Sequence, residues 1–448
     1  MYEFLYYYQE YIIFHLFMRF PKLERVYDIL FQSLIIFLPF YVLVTVFLKY
    51  QLEISFAPYI KEWILGIMGL CVLVYKIYTK ISFSKIDIAI GAYILYLVVL
   101  SIFSTGFNWI IYGWRYDFEF LIAFFIAYHG SSLLTHKISY YLKLFLLSWG
   151  LAIAIGVLIR FFLGEDILLH VWFSWNPSTW QAGSSVPIFH WIDGANVRRF
   201  QWIFDGPNTT AAFLIFYVSV LVYYFRNKKD WHFFLGMVIF FLAGLIFLTY
   251  SRSGMIAFIG SIGVVSLFYL KTLFTRYKLQ LISVIVIFIT LFWLLFLRYG
   301  WVGNGAVTVR PGSSQWHLER MITGMNFFFE KPWWHGLWFA GPAYRYLHAN
   351  EVTDGIKIDD LDKKYIPESW YIQQLVEWGV VAFILFLSIL YLISQGLFRY
   401  HPFLFGGFFG ILVMNFFLHT FESTYLSLLI FLIAGLVIGR KSKQKSRS

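Results

Sequence analysis

The stretch Thr424-Tyr-Leu-Ser-Leu-Leu-Ile-Phe-Leu-Ile-Ala-Gly-Leu-Val-Ile-Gly439 contains no charged residue, and the basic, polar tail Arg440–Ser448 follows it at once. A helix crosses the hydrocarbon core of a bilayer with about 20 mostly apolar residues. An apolar run that ends in a cluster of Lys and Arg is typical of a transmembrane helix that ends in the cytoplasm. The tail is explained by this role in topology and by contact with anionic lipid, with partner binding as the alternative.

The composition of the whole chain agrees with this stretch. Of the 448 residues 60% are hydrophobic and 13% are charged, whereas soluble domains have about 45–50% apolar and about 25% charged residues. This composition excludes a soluble enzyme, a disordered protein and a fibrous one. The net charge of +11 is better explained by cytoplasmic loops than by nucleic-acid binding. The single cysteine, Cys71, excludes an intramolecular disulfide and a cysteine metal cluster.

Twelve apolar runs are long enough to span a membrane. They are 28–48, 63–79, 86–104, 117–135, 140–162, 210–225, 232–250, 254–270, 279–297, 378–396, 402–419 and 424–439. The segment Phe4–Phe20 is interrupted by polar residues and is predicted to lie in the membrane interface. We therefore predict an all-α polytopic membrane protein, with residues 1–448 forming a single transmembrane domain of about twelve helices.

The flanking lysines and arginines decide the orientation. With twelve crossings both termini lie on one side, and that side carries 20 Lys and Arg residues, against 4 in the short loops of the other side. The positive-inside rule therefore predicts that both termini are cytoplasmic. The long segments 163–209 and 298–377 then face outward, and 298–377 is the large extracytoplasmic loop.

The middles of the predicted spans are almost free of ionisable groups. Asn415 and His419, in the eleventh run, are the main polar residues inside a span. Ion-coupled transporters need charges near the membrane midplane, where the coupling ion binds. A lipid-linked oligosaccharide flippase or other transporter is therefore the less favoured alternative, because it needs a charged path through the spans.

Arginines concentrate on the predicted outer face instead. They are Arg115, Arg198, Arg199, Arg252, Arg310, Arg320 and Arg345. Arginine binds diphosphate well because its planar guanidinium forms bidentate hydrogen bonds and stays charged. An outward-facing diphosphate at a membrane surface is most naturally a lipid-linked one. The alternative is that some of these side chains only extend to the interface or pair with loop carboxylates.

Three segments carry a more specific pattern. Arg199-Phe-Gln-Trp-Ile-Phe-Asp-Gly-Pro-Asn208 leads into the sixth span, where Asn208 is a predicted N-cap beside outward-facing backbone N–H groups. Leu248-Thr-Tyr-Ser-Arg-Ser-Gly254 joins two spans with almost no loop, which holds Arg252 at the membrane boundary. The third segment runs from Glu319-Arg320 through Phe329-Glu-Lys-Pro-Trp-Trp-His-Gly336 to Ile366-Pro-Glu-Ser-Trp-Tyr-Ile-Gln-Gln-Leu-Val-Glu-Trp-Gly379.

In their order and spacing, these segments resemble the O-antigen ligase-like family of lipopolysaccharide O-antigen ligases and polysaccharide polymerases. The resemblance covers about residues 195–395. It implies a GT-C-like, all-helical glycosyltransferase of the bacterial cytoplasmic membrane that needs neither a metal nor a cofactor. The implied donor is an undecaprenyl-diphosphate-linked glycan, used outside the membrane. The implied acceptor is another lipid-linked glycan in a polymerase, or the lipid A core in a ligase.

The resemblance also suggests site residues. Arg199, Arg252 and Arg320 match the positions that hold the donor diphosphate, with Arg198 and Arg115 as weaker candidates. Where ligases of the family have a histidine that activates the acceptor hydroxyl, this chain has Glu368. This departure slightly favours a polymerase.

The acceptor-activating base has two candidates in the sequence. One is Glu368; burial would raise its pKa, whereas a helix start and nearby arginines would lower it. Its alternative role is to orient a neighbour or to begin a helix. The other candidate is His348, which is otherwise an ordinary loop histidine.

Several weaker patterns complete the sequence analysis. A helix over Ser314–Phe329 is predicted to carry Arg320 near the membrane surface and to cover a cavity or to pack in the core. Asp360 and Asp362 form a solvated charged loop, and His190, His317 and His335 lack metal-ligand spacing. A non-catalytic assembly protein is the remaining functional alternative, in which the loop arginines would be individually replaceable.

Overall fold

The computed structural model describes residues 20–79, 83–102, 113–171, 173–174, 186–192, 197–201, 203–273, 311–333 and 367–447, and these are mostly helical. The predicted ninth span, 279–297, lies outside the described residues. In chain order, the α-helices of the described part are α1 (Phe20–Phe37), α2 (Tyr41–Tyr50), α3 (Ile60–Thr79), α4 (Lys85–Ile102), α5 (Glu119–Gly130), α6 (Ile138–Leu158), α7 (Pro207–Phe225), α8 (His232–Leu248), α9 (Arg252–Leu273), α10 (Pro311–Glu330), α11 (Trp370–Tyr400), α12 (Pro402–Met414) and α13 (Thr424–Arg447).

Helix length and apolar composition confirm a polytopic membrane protein. Six stretches of the described chain are long and apolar enough to cross a membrane: Lys22–Tyr50, Lys85–Ile102, Ile138–Leu163, Pro207–Phe225, Trp370–Tyr400 and Thr424–Ser442. Four shorter apolar helices are Glu119–Gly130, His232–Leu248, Arg252–Phe268 and Pro402–Met414. The total of twelve crossings stays a prediction.

The helix α13 lies at the centre of the fold. Of its most apolar window 89% is buried inside the protein, the largest share among the six candidate spans of the described chain. A Cβ atom at Gly435 would lie 2.4 Å from the Phe124 carbonyl oxygen, and one at Gly439 would lie 2.2 Å from that of Tyr128. Two glycines four residues apart therefore let α13 pack backbone to backbone on α5, as membrane helix pairs do.

Aromatic rings hold the start of α11 in this core. Trp370 packs 4.7 Å from Phe386 and 5.2 Å from Phe421, measured between ring centroids. The ring of Phe120 lies 5.2 Å from Phe421 and 4.7 Å from Phe431. These ring contacts in the core fix the segment just after Glu368.

A bend in α11 joins it to the chain that follows α10. Gly379 has φ +76°, a left-handed conformation that divides α11 into two helical segments. The Val380 N–H donates to the Pro332 carbonyl oxygen at 3.2 Å, and a Cβ at position 379 would lie 1.8 Å from the Trp333 carbonyl oxygen. Only glycine leaves room for this backbone, so the end of α10 is fixed against α11.

The eleventh predicted span is shorter than its apolar run. α12 ends at Met414, and a turn containing Asn415 and His419 follows it. The Asn415 amide closes this turn, because its Nδ2 donates to the Ile411 carbonyl oxygen at 2.9 Å and its Oδ1 accepts the Phe421 N–H at 3.2 Å. Asn415 and His419 therefore lie in a turn after α12 rather than inside a helix.

A two-stranded antiparallel sheet interrupts the helical fold. It pairs β1 (His190–Ile192) with β2 (Val197–Arg199), with Arg198 opposite Trp191 and Arg199 opposite His190. Because side chains alternate along a strand, Arg198 and Arg199 point to opposite faces. The sequence did not predict this sheet.

Candidate functional site

A cavity of about 410 Å³ lies where the starts of α7, α9 and α11 meet the side of α10. It is lined by Arg199, Asn208, Tyr250, Ser251, Arg252, Ser253, Ile256, His317, Leu318, Met321, Glu368, Phe417 and Leu418. Each of the three segments that the sequence analysis singled out contributes to this lining, through Arg199 and Asn208, through Tyr250–Ser253, and through Met321 and Glu368. The lining combines two arginines, a carboxylate and polar side chains with apolar ones.

Arg199 is held at the cavity by neutral oxygens. Its Nε donates to the Thr249 carbonyl oxygen at 2.9 Å, and its Nη2 donates to Asn208 Oδ1 at 3.0 Å. The neighbouring Phe200 N–H donates to the Leu248 carbonyl oxygen at 2.9 Å, which ties β2 to the end of α8. These partners orient the guanidinium without neutralising its charge.

The N-cap prediction for Asn208 was wrong. α7 begins at Pro207, and Gly206 occupies the N-cap position. The Thr210 N–H donates to the Gly206 carbonyl oxygen at 3.1 Å. Since Asn208 lies inside the first turn, its side chain is available to hold Arg199 instead of capping the helix.

The turn that carries Arg252 is short and tightly packed. Tyr250 has φ +50°, which lets α8 end and α9 begin within a few residues. Ser251 Oγ accepts the Gly254 N–H at 3.2 Å and so caps α9. A Cβ at Gly254 would lie 2.6 Å from Ala211 Cβ, so the turn sits against α7. Arg252 therefore begins a helix whose N-terminus opens on the cavity, a favourable place for an anion.

Glu368 pairs with a histidine from the loop helix. The carboxylate Oε2 lies 3.2 Å from His317 Nδ1, and the Glu368 side chain is 13% exposed. Burial raises the pKa of Glu368. The hydrogen bond from His317 and the charges of His419, His317 and Arg320 outweigh this effect, so the pKa of Glu368 lies below its ordinary value. Glu368 is therefore ionised at neutral pH, which decides the competition that the sequence left open.

Arg320 lies beside the cavity on α10. The predicted helix over Ser314–Phe329 is confirmed as α10. The Arg320 guanidinium stacks over the Trp316 ring, 3.7 Å from its centroid, and its charge acts on Glu368. It is one turn from His317, although it is not among the lining residues.

The two weaker arginine candidates do not line this cavity. Arg198 points to the other face of β2, where its Nη1 lies 3.3 Å from Glu165 Oε2 and its guanidinium lies over Phe189. The Arg115 Nε lies 2.6 Å from Glu62 Oε1, in a separate charged cluster at the start of α3. The remaining candidates from the loops, His348, Arg310 and Arg345, lie outside the described residues.

Sequence reasoning missed His317, because it was tested only for metal-ligand spacing. Its position one turn before Arg320 on the same helix was the available signal, since residues three apart share a helix face. Within the described ranges, no group of three or more His, Cys, Asp or Glu side chains is arranged to hold a metal ion.

Residues 236–387 match the family model described as O-antigen ligase. This match confirms the resemblance and contains the Arg252 turn, α10 and Glu368. No curated protein matches the chain. Together with the apolar helices, the match supports a glycan-transferring protein of the bacterial inner membrane.

Proposed function

We propose that the protein is a membrane glycosyltransferase that polymerises undecaprenyl-diphosphate-linked oligosaccharide units outside the cytoplasmic membrane. The observation that carries the proposal is the cavity, which combines Arg199, Arg252 and Glu368 with two helix N-termini. The Arg252 turn and Glu368 lie within the segment that matches the O-antigen ligase model.

In this proposal the donor diphosphate binds between Arg199 and Arg252. When the glycosidic bond to phosphate breaks, negative charge accumulates on the departing diphosphate. Fixed guanidinium and backbone N–H groups stabilise that charge without reorganising, which is the largest contribution to many enzymatic rate accelerations. Arg320 adds a further positive charge beside the cavity.

The apolar part of the lining suits the lipid portion of the donor. Ile256, Leu318, Met321, Phe417 and Leu418 form this wall. A lipid diphosphate has a strongly anionic head on an apolar chain, so it needs cationic and apolar surfaces side by side. The cavity has both within one volume of about 410 Å³.

A ligase that transfers glycan to the lipid A core is the second candidate, and the description of the matched family favours it. The two reactions use the same donor and differ in the acceptor. Glu368 stands where ligases of the family have a histidine, which favours the polymerase. A flippase remains less favoured, because the cavity collects its charges at helix starts rather than along a path through the spans.

The test uses purified protein in lipid nanodiscs with a lipid-linked repeat unit, with and without lipid A core, and gel analysis of the glycans. We expect longer lipid-linked glycans from the wild type and a loss of extension in Arg199→Ala and Arg252→Ala. Arg160→Ala is the matched control, because Arg160 pairs with Glu165 at 2.9 Å and does not line the cavity. Product formed only on lipid A core would establish the ligase instead. Full extension by both arginine variants would refute the proposed donor site.

A further inference from the structure

The pair formed by His317 and Glu368 has a geometry that the donor site alone does not require. We infer that His317 is the base that removes the proton from the acceptor hydroxyl, and that Glu368 is the residue that positions it. The inference rests on the proposed function, since it assigns the proton transfer of that same reaction. It differs from both base candidates in the sequence, Glu368 and His348.

The hydrogen bond between the two side chains fixes which ring nitrogen carries the proton. An ionised carboxylate can only accept hydrogen bonds, and Glu368 Oε2 lies 3.2 Å from His317 Nδ1. A neutral His317 must therefore keep its proton on Nδ1. The lone pair is then on Nε2, at the opposite edge of the ring, where it can accept a proton from an acceptor hydroxyl.

The carboxylate itself is poorly suited to the role of base. The pKa of Glu368 is lowered, because burial is outweighed by the His317 hydrogen bond and by nearby positive charge. A carboxylate whose pKa lies well below the working pH is a weak proton acceptor. General-base catalysis is most efficient when the pKa of the base lies near the working pH. An ionised carboxylate beside imidazole instead holds the ring in place and stabilises the imidazolium that forms.

Backbone contacts hold both members of the pair in place. The Trp370 N–H, just after Glu368, donates to the carbonyl oxygens of Asn415 at 3.1 Å and Leu418 at 3.2 Å. On the other side, α10 is fixed by the contact of Pro332 with Val380 at the Gly379 bend. Charged and titratable groups around the pair include Arg320 on α10 and His419 after α12, and Arg199 and Arg252 line the same cavity.

The pair and the two arginines line the same cavity, so one step can use them together. The acceptor oxygen attacks the anomeric carbon of the donor and forms the new C–O bond. The bond from that carbon to the phosphate oxygen breaks, and its electron pair leaves with the diphosphate held by Arg199 and Arg252. The hydroxyl proton moves to His317 Nε2, and the protonated ring later returns it to water.

The test measures single-turnover extension of a lipid-linked repeat unit together with binding of undecaprenyl diphosphate. We expect His317→Ala to lower the rate by about 10²- to 10⁴-fold, the usual range for general acid–base catalysis. Binding of undecaprenyl diphosphate should change less than about twofold, because the arginines are intact. Thermal unfolding of each variant identifies those that do not fold, and His317→Gln serves as the milder replacement.

A second variant tests the positioning role. We expect Glu368→Gln to lower the rate by up to about 10⁴-fold, the loss seen when the carboxylate that orients a catalytic histidine becomes an amide, while binding of undecaprenyl diphosphate stays unchanged. Glu368→Asp should recover part of the rate. A purely structural role of Glu368 would instead lower the unfolding temperature and the binding of undecaprenyl diphosphate together with the rate.

The outcomes separate this inference from the proposed function. Full activity of both His317 variants, in a protein whose Arg252→Ala variant is inactive, would refute the inference and keep the glycosyltransferase. A wild type that neither extends glycans nor binds undecaprenyl diphosphate would refute the proposed function itself.

Discussion

Two charged clusters lie on the predicted outer side of this protein, and they differ in how their charges are balanced. The first, here called the closed cluster, consists of Lys61, Glu62, Arg115 and Glu119. Its two cations meet two carboxylates, with Lys61 Nζ 2.7 Å from Glu62 Oε1 and 2.7 Å from Glu119 Oε2. The Lys61 side chain has no exposed surface.

The cavity has the opposite balance. Its lining holds two arginines and one carboxylate, and two of the oxygens that orient Arg199 belong to neutral groups, the Thr249 carbonyl and the Asn208 amide. A cluster that neutralises itself stabilises or constrains the fold, whereas an excess of oriented positive charge beside an open volume can bind an anion. The number of arginines on a face is therefore less informative than the residues that surround each one.

The largest effect that the comparison predicts is on catalysis at the cavity. We expect Arg252→Ala to lower kcat/KM for glycan extension by about 10²- to 10³-fold, the usual loss when an oriented charge-stabilising donor is removed. The kcat/KM of Arg252→Lys should lie between those of the wild type and Arg252→Ala, because lysine keeps the positive charge but lacks the planar guanidinium. Equal rates for the wild type, Arg252→Ala and Arg252→Lys would mean that the positive charge of the cavity has no role in catalysis.

The closed cluster should instead respond in stability. Glu119→Gln leaves the buried Lys61 with one carboxylate fewer, and breaking such a pair costs about 3 kcal/mol of folding free energy. The measurement is thermal unfolding in detergent. The double variant Lys61→Met with Glu119→Leu should be less destabilised than the single one, because it leaves no half of this pair behind. A double variant at least as unstable as Glu119→Gln would contradict a mainly electrostatic role.

The Gly379 bend belongs to the frame that holds the cavity, because it joins α11 to the chain after α10. Gly379→Ala should cost about 2 kcal/mol or more, since it combines a strained positive φ with a contact on the Trp333 backbone. It should also lower activity by moving Glu368. Gly263→Ala in α9 is the matched control, because a Cβ there meets nothing within 4 Å and alanine favours a helix by about 1 kcal/mol. Circular dichroism melts of the two variants measure the difference.

The smallest effect concerns the Glu368 carboxylate in folding. Because its pKa is lowered in the folded protein, the stability it contributes is present above the ordinary glutamate pKa of about 4.3 and is lost as the pH falls through the folded value. Glu368→Gln should therefore lower the unfolding temperature at pH 7. The corresponding loss in the free energy of unfolding is about 1 kcal/mol or less. The two melting curves should converge once the pH falls below the lowered pKa of Glu368 in the folded protein. A difference that persists in acid would show that shape, not charge, is responsible.

The sequence predicted what depends on local patterns. Apolar runs predicted the helices, and the near absence of a loop around Arg252 predicted that this residue is held in place at the membrane boundary. The helix α10 was foreseen from the spacing of its apolar residues, such as Met321 and Met325. These features can be predicted from local sequence alone, because hydrophobic periodicity and short connections depend on residues that are close together in the chain.

The sequence could not predict what depends on distant contacts. His317 meets Glu368 only because the chain after α10 packs against Gly379, and no pattern near either residue encodes that contact. Arg198 and Arg199 face opposite sides of a strand of three residues, which is too short to give a recognisable alternation. The sequence predicted Asn208 as the N-cap of α7, whereas Gly206 occupies that position in the structure.

The bend at Gly379 also has a mechanical consequence. A flap over a cavity needs a joint at which few bonds break when it swings. Here a swing of α10 would have to pull the Pro332 carbonyl from the Val380 amide and lift the Trp333 backbone out of space that only a glycine leaves free. α10 is therefore held rigidly in place and does not act as a flap. The width of the cavity is set when the chain folds.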